Sequence, residues 1–154
     1  MGSRSNARKR AVDILYEADL RDVDAVTLLS ERVGSTDVAP IGEYAVTLVE
    51  GISANRQRID ELLTEHAEGW TLSRMPPVDR SVLRLGLYEL LFSDDVPSAV
   101  AIDQSVELVK ALSTDDSPRF VNGVLGRIAG IRSRLRKTLR TESTESVTGD
   151  GSAQ

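Results

Sequence analysis

Apolar residues in this chain recur three and four positions apart over most of its length, and nowhere do apolar and polar residues alternate long enough to build a sheet. That periodicity confines the chain to an all-α fold, which we expect to hold six to seven helices. Ala11, Ile14, Leu15 and Ala18 line the first helix, with Ser5 or Asn6 as its cap. Asp24 caps a second, which carries Val26, Leu29 and Val33 and stops near Gly34. Residues 35–39 read as a loop, and Pro40 suits the first turn of a third helix. That segment runs through Tyr44, Leu48, Ile52, Ile59, Leu62 and Leu63, with a break near Gly51 or Asn55, and Gly69-Trp70 closes it.

After the Pro76-Pro77 punctuation, Asp79 to Phe92 forms an amphipathic segment, and Asp94-Asp95-Val96-Pro97 is a turn. Ser98 to Leu112 is the next helix. Ser117-Pro118 supplies a cap and a first-turn proline, with Asp115 and Asp116 at the positive end of the helix dipole. The last helix runs to Leu139 on a stripe of Phe120, Val121, Val124, Ile128, Ile131, Leu135 and Leu139. Because the stripe continues through Asn122-Gly123, that pair is not a hairpin turn. Gly123, Gly126 and Gly130 share another face. Each costs about 1 kcal/mol relative to alanine, so close approach of a second helix backbone is the expected reason for them. The expected organisation is one domain over residues 1–140, built of helical groups at about 5–69 and 70–140. A polar tail at 141–154 is expected to be disordered.

Composition narrows the chemistry. The chain has no Cys and one His, which excludes disulfides, thiolate nucleophiles and multi-histidine metal sites. No metal and no cofactor is expected. No run approaches 18 apolar residues, and the basic N-terminus lacks a signal-peptide core, so we expect a cytoplasmic protein with no membrane partner. Asp94-Asp95 and Asp115-Asp116 read as turn and cap residues, and His66 as a partner of a helix C-terminus, so no catalysis is expected.

The net charge of −5 hides a division. Residues 1–12 carry Arg4, Arg8, Lys9 and Arg10 with no acid, and residues 127–140 carry six cations with no acid. Between them the chain sums to −12. Basic ends on an acidic body bind a polyanion locally while the remainder discourages indiscriminate binding. Lys9, Val12 and Tyr16 fall on one flank of the first helix, and Arg119 precedes Phe120. Both pairings offer a phosphate contact beside an aromatic surface for an unstacked base. Such cations also pair with local acids, as Lys9 and Arg10 can with Asp13, at about 0.3–0.5 kcal/mol each.

Three segments make the chain recognisable: ARKRAVDILYEADL, PPVDRSVLRLGLYELLF, and DVPSAVAIDQSVELVKALSTDDSPRFVNGVLGRIA. They resemble the NusB family of bacterial transcription antitermination factors, and the run Phe120–Leu125 after a Ser-Pro cap is the most specific part. Residues 22–40 and those after about 131 do not contribute. The resemblance implies an all-α fold of two packed helical subdomains. It implies binding of the boxA element of nascent, single-stranded ribosomal RNA together with NusE, a small-subunit ribosomal protein. It also implies contact with the RNA polymerase elongation complex through other Nus factors. Residue by residue, it matches Arg4, Arg8, Lys9 and Arg10 to the family's arginine-rich N-terminus. Tyr16 matches an RNA-facing aromatic, Asp116, Arg119 and Phe120 border the same surface, and Asp79 lies in the region implied to meet NusE. The basic stretch 132–140 matches no family pattern.

Other readings stay open. NusB-like domains also precede some RNA cytosine-5 methyltransferases, but this chain has no GxGxxG and no Cys to attack a base. A duplex-DNA regulator using residues 127–140, or a helical adaptor that binds only protein, would also suit an all-α chain. A homodimer is compatible with each.

Overall fold

A computed structural model of the chain describes residues 3–35 and 40–152. Among them are eight α-helices and one 3-10 turn, with no strand. The helices are α1 (Ser3–Arg21), α2 (Ala25–Val33), α3 (Glu43–Ala54), α4 (Arg56–His66), α5 (Pro77–Leu91), α6 (Ser98–Leu112), α7 (Ser117–Gly130) and α8 (Arg132–Ser152). The expected break near Asn55 makes seven, and a second break that was not expected makes the eighth. Asn55 separates α3 from α4 with a non-helical backbone, and Ile131 separates α7 from α8.

Local chemistry sets several boundaries. Asp24 caps α2, its Oδ2 accepting from the Thr27 backbone N–H at 2.9 Å, and Gly34 ends that helix. Gly69 closes the α4 region at φ +76°, a left-handed conformation that favours glycine. Pro77 sits in the first turn of α5. Two expected starts move. Helix α1 already includes Ser3, so Ser5 and Asn6 lie inside it, and Ser5 Oγ donates to Gln104 at 2.8 Å instead of capping. Helix α3 begins at Glu43 after Gly42, leaving Pro40 outside. Of the expected loop, residues 36–39 lie outside the described residues.

Helix α5 is the axis of the molecule. Helices α1, α3, α4, α6, α7 and α8 all pack on it, so it is buried on every side and not amphipathic as the sequence suggested. Val82, Leu83, Leu85, Leu87 and Leu90 are fully buried. Gly86 admits α6 and α7 closely: a Cβ there would lie 2.6 Å from Leu125 Cδ1 and 2.7 Å from Ser105 Oγ. Asp79, Ser81, Arg84 and Glu89 are buried too, Arg80 partly so, and each charge finds a partner. Arg84 Nε donates to Asp60 Oδ1 at 2.8 Å, and Arg80 Nε to Asp19 Oδ2 at 2.8 Å. Arg8 Nε is shared between both Glu89 carboxylate oxygens, at 3.0 and 2.9 Å. The pairs Arg8–Glu89 and Asp19–Arg80 fix α1 antiparallel to α5.

Residues 141–152, expected in a disordered tail, continue α8 to Ser152. No proline interrupts them, and Glu142 accepts from Arg58 Nε and Nη2 at 3.1 and 3.0 Å. Residues 153–154 lie outside the described residues. No described helix is long and apolar enough to cross a membrane.

Candidate nucleic-acid interface

The loop between α6 and α7 is held by a buried carboxylate. Asp79, in the first turn of α5, accepts from Ser113 Oγ at 2.6 Å and from Ser117 Oγ at 2.8 Å. Because Asp79 is only 2% exposed, it presents no free charge to a partner. It fixes the position at which α7 starts. Above it opens a groove of about 430 Å³ lined by Trp70, Pro76, Asp79, Thr114, Asp116, Ser117, Arg119 and Phe120. The structure thus brings together four of the residues singled out in the sequence: Asp79, Asp116, Arg119 and Phe120.

Within the groove, Phe120 is partly buried against the core and its ring meets Trp70 at 5.6 Å between centroids, tilted by 55°. Trp70 is 48% exposed. An exposed indole beside a phenyl ring offers a stacking surface to an unstacked base. Asp116 and Arg119 are exposed at the rim, and Arg119 has no ion-pair partner among the described residues. Sequence reasoning read Trp70 only as a helix-ending residue. The signal available was that it is the chain's one tryptophan, placed just before Pro76 and beside a turn.

The three glycines of α7 do not receive another helix. A Cβ at Gly126 or Gly130 would meet nothing within 4 Å, and at Gly123 only the Arg127 side chain at 3.5 Å. That expectation is corrected: the apolar stripe of α7 faces the core, so the opposite, glycine-bearing face looks outward. The close approaches fall at Gly86 and at Gly51, where a Cβ would overlap the Tyr88 phenol.

The N-terminal cations divide. Arg4 is exposed at the rim of the molecule, pairing with Asp95 at 2.8 Å, with its guanidinium 4.2 Å from the Tyr44 ring centre. That pairing holds the Asp95 carboxyl below its ordinary value. Lys9 is exposed and pairs with Asp13 at 3.2 Å. Arg10 is partly exposed beside Asp13 and Arg32. Arg8 is the correction. It is 4% exposed and engaged by Glu89, itself fully buried, so it is not offered to a phosphate. Tyr44 also donates to Glu89, and burial followed by that hydrogen bond pushes the Tyr44 phenol well above its ordinary value. No sequence signal on α1 marked Arg8 apart, because its partner lies in α5.

Tyr16 is partly buried on α1. Since α1 and α5 are antiparallel, Tyr16 stands level with the Asp79 end of α5, and Arg4 with the opposite end. The groove end of α1 and Arg4 therefore lie on the order of 20 Å apart along the helix, with Lys9 and Arg10 about 10 Å from Tyr16, at about 1.5 Å per residue. A ligand touching both must run along the molecule.

Residues 5–130 match the NusB family. The transcription antitermination protein NusB of Saccharopolyspora erythraea is 81% identical over 141 residues, covering 91% of this chain and 95% of that protein. Among solved structures, NusB of T. maritima is 37% identical with a TM-score of 0.73, covering 84% of this chain and 92% of that one. The antitermination factors NusB and NusE in complex with dsRNA include a chain that is 32% identical with a TM-score of 0.71. That match covers 82% of this chain and 96% of the other.

Proposed function

The chain belongs to the NusB family of transcription antitermination proteins, and from that premise we propose that it binds the boxA element of nascent ribosomal RNA as a heterodimer with NusE. In this role it helps the elongating RNA polymerase resist termination, acting with other Nus factors and without catalysis of its own. The observation that carries the reading is the groove at the start of α7, where Arg119, without an ion-pair partner among the described residues, flanks the exposed ring of Trp70 and the half-buried ring of Phe120. Cations hold phosphates and set register, while exposed rings take splayed bases. Arg4, Lys9 and Arg10 extend the cationic path along α1, past Tyr16. Asp79 acts from beneath, by fixing the loop that the RNA meets and that a partner must fit. We read residues 1–140 as one domain of two helical groups, about 5–69 and 70–140, the first packing on α5 of the second.

Few direct contacts are available on this chain alone. A second protein surface on the same strand raises affinity by making one ligand engage both, and the acidic body suits a basic ribosomal protein. The test is the affinity of a boxA-containing single strand, a scrambled strand and a duplex of the same length, each with and without NusE. A boxA preference that strengthens on adding NusE supports the proposal. Equal affinity for boxA and scrambled RNA in both conditions overturns it.

A further inference from the structure

Helix α8 lies beyond residues 5–130, the part that matches the NusB family, and its cations fall into two sets. Arg132 and Arg136 turn inward and satisfy the end of α5. Arg132 Nε donates to the Leu90 carbonyl at 2.7 Å and its Nη2 to that of Val96 at 3.1 Å. Arg136 Nε donates to Leu90 at 3.1 Å, and its Nη2 to the Ser93 carbonyl. These two arginines anchor α8 to the core, with Leu135 and Leu139 packed beneath. Arg134, Lys137 and Arg140 point outward, are exposed, and have no ion-pair partner among the described residues. Spaced by three, they occupy a face of roughly 120° at 100° per residue.

Their position is as informative as their charge. Arg136 lies 3.8 Å from Asp94, and Arg4 2.8 Å from Asp95. The two basic ends, separated by most of the sequence, therefore meet at the single turn between α5 and α6. Arg4 and the first turns of α8 flank Asp94-Asp95 from two sides. None of Arg134, Lys137 and Arg140 reaches ion-pair distance of an acid among the described residues, which suits a linear polyanion.

We propose that the face of α8 carrying Arg134, Lys137 and Arg140 is a second RNA-backbone contact, taking single-stranded RNA that flanks boxA beyond the N-terminal cations. The inference deepens the RNA-binding reading and rests on it. Contacts to phosphates carry no sequence information, so this surface adds affinity for length and not for boxA itself.

The test compares a minimal boxA RNA with one extended on both sides, for the full chain with NusE and for the variant R134A/K137A/R140A. Three lost single-strand contacts lower the log–log salt slope by about 2, so between 50 and 200 mM salt the wild type should lose about 20-fold more affinity for the extended RNA than the variant does. Minimal boxA should bind both proteins alike, and R134K/R140K, which keeps the charge, should bind the extended RNA as the wild type does. Unchanged affinity and slope on the extended RNA would overturn the proposal, and so would an equal loss on both RNAs. A triple variant that loses NusE without RNA present would assign the face to protein and overturn it too. A scrambled extended strand separates the two failures: a wild-type advantage over the triple variant on that strand, without any boxA preference, sinks the boxA reading and keeps the α8 backbone contact.

Discussion

Replacing Arg8 by alanine is expected to act on stability and not on RNA. The Arg8 guanidinium is 4% exposed and Glu89 is wholly buried. One Nε–H is shared by both carboxylate oxygens, and the Tyr44 hydroxyl donates a further hydrogen bond to Oε2. Removing the arginine leaves a carboxylate in the core without its countercharge. Breaking one side of such a pair costs about 3–5 kcal/mol, whereas replacing the whole group by apolar residues is often near neutral. Against a total stability of roughly 5–15 kcal/mol for a domain, the single change removes a large part of what holds the fold. Urea unfolding of Arg8→Ala should show the midpoint falling with the slope unchanged. The combined change Arg8→Met, Glu89→Leu and Tyr44→Phe should recover most of the loss. Where Arg8→Ala is still folded, the salt slope of RNA binding should match the wild type. A stability loss below about 1 kcal/mol, together with a salt slope shallower by about 0.7, would show that Arg8 meets phosphate instead and refute the reasoning.

Three further outcomes follow from named contacts. Asp79→Ala removes two hydrogen bonds to a buried carboxylate, each worth about 1.5–3 kcal/mol, and should lower the melting temperature and increase amide exchange across residues 113–117; unchanged exchange there would show the loop is held otherwise. Gly86→Ala drives a methyl into Leu125 and Ser105 and should cost about 1–3 kcal/mol, while Gly126→Ala on the open face should gain up to about 1 kcal/mol, both read by urea unfolding. The Asp95 carboxyl should titrate below 3.8 by NMR and return toward 3.8 in Arg4→Ala. A depressed value means its contribution to stability is present above the unfolded value and fades as pH falls through the folded one.

What the sequence made legible was mostly local. The bounds of α6, the Asp24 cap and the Gly34 stop depend on neighbours within a turn, and each is where periodicity and capping put it. The break at Ile131 was not legible, because an apolar residue in register with the stripe carries no mark of a non-helical backbone. The glycines misled for a related reason: spacing shows that they share a face, not which way the face turns. In the site, Arg119 and Phe120 were readable from their place after Ser117-Pro118, although Ser117 does not cap: it is the first residue of α7, its hydroxyl bonds Asp79, and the helix start has no side-chain cap. Trp70 was not, since it joins Phe120 across fifty positions. Arg8 was indistinguishable from its basic neighbours, because its fate is decided by Glu89 in the central helix. Burial of charge is a property of the fold, and one helix read alone does not contain it.

The most direct test of the account is to map boxA RNA onto the heterodimer with NusE by amide NMR of this chain. Shifts should concentrate at Trp70, Asp116, Arg119 and Phe120 and along the exposed side of α1, with the buried Arg8–Glu89 pair unmoved. Shifts confined to the acidic face of α4, around Asp60, Glu61 and Glu65, with the groove silent, would contradict it.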